Sequence, residues 1–217
     1  MLNRLKRERL LGFPQLKTPF KKILRSTFTW QHSFMVTRGD LPFVLNAMNL
    51  LGTGAEIGVS RGKYSLFLLT HWRGAKLYSI DPWHESMEYR TAEGVPVPQA
   101  TQDAIYAEAV AVLAPFGARS VILRQESVRA AEQFQDGALD FCFIDGNHEY
   151  ESVKKDLEAW FPKVKRGGIV AGHDYVDTVI GVVEIGVKTA VDEFCRARGV
   201  RLILTHELDF PSWFIFK

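Results

Sequence analysis

The sequence predicts an α/β domain built on a doubly wound, mostly parallel sheet with helices on both faces, and three observations carry that prediction. Seven short β-rich runs recur from residue 54 onward, helical patterns separate most of them, and the last two runs are joined without a helix. Near-continuous apolar strands alternating with amphipathic helices need cover on both sides, which a sheet of the Rossmann type provides.

In chain order the strand runs are GAEIGV (54–59), KLYSID (76–81), SVILR (120–124), LDFCFID (139–145), GGIVAG (167–172), RLILT (201–205) and SWFIFK (212–217). Helical patterns fall at roughly 63–72, 127–135, 149–160 and 186–198. In the last of these, Val187, Ala190, Val191, Phe194 and Cys195 share a stripe from which Lys188, Asp192, Glu193 and Arg196 are excluded, as a helix lying on a sheet requires. The stretch 82–119 is too long for a simple crossover. Its polar, proline-bearing start, PWHESMEYRTAEGVPVPQ, precedes a helical run to about Ala114, and it reads as a lid or substrate-facing insertion. HELDFP between the last two runs predicts an antiparallel, hairpin-like ending.

The 217 residues suffice for one domain with a sizeable core. With 47% hydrophobic and 24% charged residues, and no apolar run of membrane-spanning length, the chain reads as a soluble globular protein. Cys142 and Cys195 offer neither a disulfide framework nor a CxxC metal site, so a cytoplasmic setting is the default. Charge is uneven. Residues 1–28 carry eight basic side chains against one acid, +7, while the rest carries 19 against 24, −5. Residues 1–40 therefore read as a basic N-terminal helical arm or lid before a domain at 41–217. That arm reads as a solvated helix docking its Leu and Phe residues; an arm for anionic membrane or nucleic acid and an organelle transit segment are the alternatives. A secretory signal is not expected, because no continuous apolar core follows the basic residues.

In an open α/β sheet, ligands sit at the carboxyl ends of the strands, where loop amides and helix N-termini converge. The first strand ends in AEIGVSRGKYS, where Gly58 and Gly62 permit a tight turn beside the carboxylate of Glu56. A plain strand-to-helix turn accounts for two glycines equally well. The second strand ends in YSIDPW, and Asp81 suits either a ribose hydroxyl or a turn before Pro82; beside the glycine turn, the ribose role is the better reading.

These motifs, with LDFCFIDGNHEYESVKKDLEAWFPKVKRGGIVAGHDY and the PSWFIFK ending, resemble the class I S-adenosylmethionine-dependent methyltransferases. More narrowly, they look like the small bacterial group related to macrocin-type sugar O-methyltransferases and cephalosporin-hydroxylase-like proteins. The resemblance spans about residues 40–217 and implies a seven-stranded sheet with its last strand antiparallel. It implies S-adenosylmethionine as cofactor, with Glu56, Gly58, Gly62 and Ser65 around its methionine part, Asp81 at its ribose, and Glu126 and Ser127 at its adenine. Ser127 also reads as the N-cap of the helix that follows. Where the family pattern has a second glycine, this chain has Ser60.

Asp145 ends the fourth run, and His173 and Asp174 end the fifth; in the family order these two strands are neighbours. Two carboxylates and an imidazole converging on one cleft call for a cation, and a divalent metal is the economical one. The resemblance to metal-dependent O-methyltransferases implies Asp145, His173 and Asp174 as ligands of Mg²⁺ or Mn²⁺, with Asp145 taking part in catalysis. Structural roles as a cap, a partner of a carboxylate and a turn residue are the alternative. The resemblance also makes His148 the general base for the acceptor hydroxyl, against a structural place at the start of helix 149–160. Trp83, His84, Tyr89, Tyr106, Trp30 and His32 either face the acceptor or pack in a core or lid.

The function so predicted is metal-assisted O-methylation of a small-molecule or sugar hydroxyl. A metal-independent methyltransferase, or a non-methylating relative that keeps the cofactor pocket, is the alternative; a membrane- or nucleic-acid-binding module built on the basic arm is a third reading. No nucleic-acid partner and no transmembrane segment are expected. Membrane-surface contact would run through the basic arm, and a homo-oligomer stays open.

Overall fold

The computed structural model describes residues 35–86 and 91–217, all within one compact unit, Gln31–Lys217. The basic stretch before residue 35, with Trp30 and His32, lies outside the described residues, and so does Tyr89.

The described chain starts with a 3-10 turn at Arg38–Asp40, closed by a capping box: Thr37 Oγ1 accepts from the Gly39 amide, and Asp40 Oδ2 accepts from the amides of Val36 and Thr37. Helix α1 (Leu41–Ala47) follows, with Pro42 in its first turn, where no amide partner is needed. Then come β1 (Thr53–Ile57), α2 (Lys63–His71), β2 (Lys76–Asp81), α3 (Gln99–Leu113), β3 (Ser120–Arg124), α4 (Ser127–Ala131), β4 (Leu139–Ile144), α5 (Tyr150–Trp160) and β5 (Val164–Gly172). The chain ends with β6 (Asp177–Ile180), β7 (Val183–Gly186), α6 (Val187–Arg198), β8 (Leu202–Leu204) and β9 (Trp213–Phe216).

Seven strands form one sheet in the order β3-β2-β1-β4-β5-β9-β8. Neighbours among β1 to β5 pair parallel, whereas β9 runs antiparallel to both β5 and β8. This is the doubly wound arrangement with an antiparallel last strand that the sequence predicts. Along β4 the alternation of a strand divides the side chains between two cores. Cys142 and Ile144 join α4, α5 and α6 on one face, where Val153, Leu157, Trp160, Val191 and Phe194 pack. Phe141 and Phe143 join α1, α2 and α3 on the other, with Leu41, Leu45, Leu68 and Leu113. With both faces covered, every residue of LDFCFI is buried.

The structure adds elements that the sequence reading did not place. The second sheet, the β6–β7 hairpin, spans VDTVIGVVEIG, and Gly181 at its turn has φ +62°. Four exposed residues make up β6, so no buried stripe marks it. Its tip meets the insertion, where the Val182 amide donates to the Ala92 carbonyl at 2.9 Å. Within the insertion, α3 is followed by a 3-10 run at Ala114–Arg119. Helix α4 stops at Ala131, four residues short of its predicted end.

Candidate active site

The carboxyl ends of β1, β2 and β4 surround a cleft of about 250 Å³ whose lining includes Gly58, Asp81, Pro82, Glu126, Ser127 and Asp145. Gly58 has φ +84°, and a Cβ there would fall 2.1 Å from the carbonyl oxygen of Asp145, so only glycine lets the β1 turn close against the end of β4. Gly62, at φ +76°, is the N-cap of α2. Ser60 also lies in the left-handed region, at φ +48°. Asp81 holds this turn. Its Oδ2 accepts from the amides of Val59 and Ser60, and its Oδ1 from the amide of Trp83, each at 2.9 Å.

Glu56 lies under the turn instead of in the cleft. The alternation of β1 aims it toward α2, where Ser65 Oγ donates to Glu56 Oε2 and lies 2.6 Å from Ser79 Oγ. Burial raises the Glu56 carboxyl to a pKa of about 8, although the Ser65 bond opposes the shift. Of the seven residues predicted around the cofactor, Gly58, Asp81, Glu126 and Ser127 line the cleft; Glu56, Gly62 and Ser65 do not, Glu56 and Ser65 bonding to each other beneath the turn and Gly62 starting α2.

Ser127 requires a correction. The N-cap of α4 is Glu126, and Ser127 is the first helical residue. Its hydroxyl accepts from the Trp160 indole N–H at 2.9 Å and donates to Asp156, so it ties α4 to α5 and is not available as a cap. The α5 side of the cleft, Ser152, Lys155 and Asp156, was missed by sequence reasoning. Its signal was the i, i+3, i+4 spacing, which places all three on one helix face.

Across β4 and β5 lies a second group. The Asp145 amide donates to the Ile57 carbonyl at 2.7 Å, and the His173 amide to the Ile144 carbonyl at 3.2 Å, so both strand ends are fixed by their neighbours. Asp174 follows with φ +53°. His148 Nε2 lies 2.9 Å from Asp174 Oδ2 and 3.4 Å from Asp145 Oδ1. His173 Nδ1 lies 2.7 Å from the other oxygen of Asp174. Among the described residues, Asp145, His148 and Asp174 offer ligand atoms within 4.8 Å of one another; His173 stands behind Asp174. Arg38 Nη1 donates to Asp145 Oδ2 at 3.1 Å.

A family model described as a methyltransferase domain matches residues 55–175, more than half of the chain and all of this cleft. The chain belongs to the class I S-adenosylmethionine-dependent methyltransferases. The fold agrees. An O-methyltransferase family protein from Burkholderia thailandensis superposes with a TM-score of 0.59 at 12% identity, covering 82% of this chain and 55% of that one. An rRNA methylase from Streptococcus thermophilus gives 0.54 at 12% identity, over 78% of this chain and 90% of the other. An uncharacterized protein, y4gI, from Sinorhizobium fredii is 36% identical over 55 residues; they make up 25% of this chain and only 6% of that protein.

Within this methyltransferase, S-adenosylmethionine is the cofactor, and His148 has an unusual environment for an imidazole beside its site. Burial acts to lower its pKa, but hydrogen bonds to Asp145 and Asp174 and their charges outweigh burial and raise it to about 9. Asp174 is the converse: burial acts to raise it, and the two histidines hold it well below the usual carboxylate range. The insertion contributes packing. Trp83 is buried, donates its indole N–H to the Ser60 carbonyl at 2.9 Å, and lies 5.0 Å from the Tyr106 ring, so it is core and not an acceptor-facing side chain. His84 instead reaches the cleft margin, with Nδ1 3.0 Å from Glu126 Oε1. Among the described residues, no helix is long and apolar enough to cross a membrane.

Proposed function

We propose that this methyltransferase transfers its methyl group to a hydroxyl of a small molecule, with a divalent cation assisting beside Asp145, His148 and Asp174. The observation that carries the reading is the meeting of these three side chains within 4.8 Å at the carboxyl ends of adjacent strands, with Asp145 also lining the cleft. Two carboxylate oxygens and one imidazole nitrogen are a donor set that suits Mg²⁺ and, with the imidazole, Mn²⁺ better. A cation held there would lower the pKa of an acceptor hydroxyl brought against it.

The chain's own residues supply the rest. Backbone at Gly58 gives the methionine part of the cofactor a close approach, Asp81 keeps one acceptor position on Oδ1 for the ribose, and Glu126 and Ser127 flank the adenine. Glu56, Gly62 and Ser65 hold the turn beneath. With a cation bound, His148 Nε2 would serve as its ligand; without one, His148 in its neutral form is the base for the acceptor hydroxyl. His173 orients Asp174. The Burkholderia neighbour's O-methyltransferase name supports oxygen as the methylated atom.

Radiolabelled S-adenosylmethionine and a panel of hydroxylated acceptors provide the test. Transfer should drop about 100-fold with EDTA and return with Mn²⁺, and Asp174→Asn should show the same loss with cofactor binding unchanged. Full activity in EDTA would remove the cation from the reading. A second reading would then stand, supported by Arg38: a metal-independent transferase in which this guanidinium supplies the positive charge at Asp145.

A further inference from the structure

We propose that Arg38 is a built-in counter-ion for the acidic cluster, a positioning residue that keeps one oxygen of Asp145 for itself and thereby weakens the hold on a divalent cation. This rests on the cation site proposed above. Asp145 is divided between two partners: Oδ2 accepts from Arg38 Nη1 at 3.1 Å, while Oδ1 faces His148 Nε2 at 3.4 Å. With Oδ2 taken, Asp145 offers a cation one oxygen, and a second positive charge already stands beside it.

The guanidinium is placed by more than the ion pair. The Tyr64 hydroxyl donates to the Arg38 carbonyl at 2.9 Å, and the guanidinium carbon lies 5.2 Å from the centre of the Tyr64 ring. The capping box fixes the turn that carries Arg38, the His206 amide donates to the Val36 carbonyl at 3.0 Å, and Met35 is buried in the core. The Arg38 side chain is 39% exposed and that of Asp145 19%, so solvent screens the pair only in part. Residue 38 lies outside the stretch 55–175 that the family model matches.

Binding of Mn²⁺ to the full-length protein, read from the free-ion electron paramagnetic resonance signal, tests the inference without any need for turnover. Arg38→Gln should bind Mn²⁺ about tenfold more tightly than the wild type, since one unit charge beside the ion is removed. Arg38→Lys, which restores the charge, should return affinity toward the wild-type value. Arg38→Met retains the apolar stem over Tyr64 and serves if the glutamine variant does not fold; its affinity should rise in the same way. Thermal melting separates a merely structural role. A lowered melting temperature with wild-type Mn²⁺ affinity, or weaker binding in the uncharged variants, overturns the inference while leaving the cation site in place. If neither the wild type nor these variants bind millimolar Mn²⁺, the cation site itself is wrong and the counter-ion role falls with it.

Discussion

Gly58 shows how a single position can hold the cleft open. A methyl group there would meet the Asp145 carbonyl at 2.1 Å on a backbone at φ +84°, so Gly58→Ala should cost about 3 kcal/mol or more in urea unfolding and weaken cofactor binding. Glu56 makes a different prediction. Its folded pKa of about 8 is raised above the unfolded value, so its stabilising contribution is complete below pH 4.5 and is lost as pH rises through 8. Compared with Glu56→Gln, the wild type should lose on the order of 2–4 kcal/mol between pH 5 and pH 8; parallel pH profiles for the two proteins would refute the burial argument. Glycine and acid at strand ends are visible in sequence because each residue type has few other uses there. The tie between Arg38 and Asp145 is not, since 107 positions separate them. Nor does sequence spacing reveal that His148, and not His173, shares the space between the two acids, because that depends on the left-handed backbone at Asp174.

Elements were legible to the extent that their period showed. The stripe on α6 is buried as read, from Val187 through Cys195, because an amphipathic helix on a sheet has one face to hide. The β6–β7 hairpin carries no comparable signature: four exposed residues form its first strand, and its turn is stabilised by a neighbour far off in sequence. A Cβ at Gly181 would lie 1.9 Å from the Ala92 carbonyl oxygen. Gly181→Ala should therefore detach the tip from the insertion and speed amide exchange of the Val182 amide on the order of tenfold, while the main sheet stays protected. Helix α4 was misjudged at its start, because a serine before a helix is a cap by statistics, and only the partner helix shows the hydroxyl already engaged. Ser127→Ala leaves the Trp160 indole without its acceptor and should cost about 1–3 kcal/mol in thermal or urea unfolding, lowering the cooperativity of α4 with α5.

At the level of the molecule, the region that identifies the family is not the region that completes the fold. Residues 55–175 contain the cleft, most of β1 and all of β2 to β5, but the partner that covers the far edge of β5 is β9, at residues 213–216. A fragment cut to 55–175 should lack a cooperative thermal transition by circular dichroism, since it also loses α6 and more than a third of the buried residues in the core it covers. The sequence conveyed this architecture because seven strand runs and the helices between them repeat one pattern; the position of β9 came from the family resemblance and the missing crossover helix. The place of β9 between β5 and β8 has a consequence in time. Among the described residues β8 pairs with β9 alone, so during synthesis it emerges before its partner, and β5 waits more than forty residues for its antiparallel neighbour. Two open edges thus coexist on the nascent chain until β9 slides between them, and for that interval edge-to-edge pairing with another chain competes with folding.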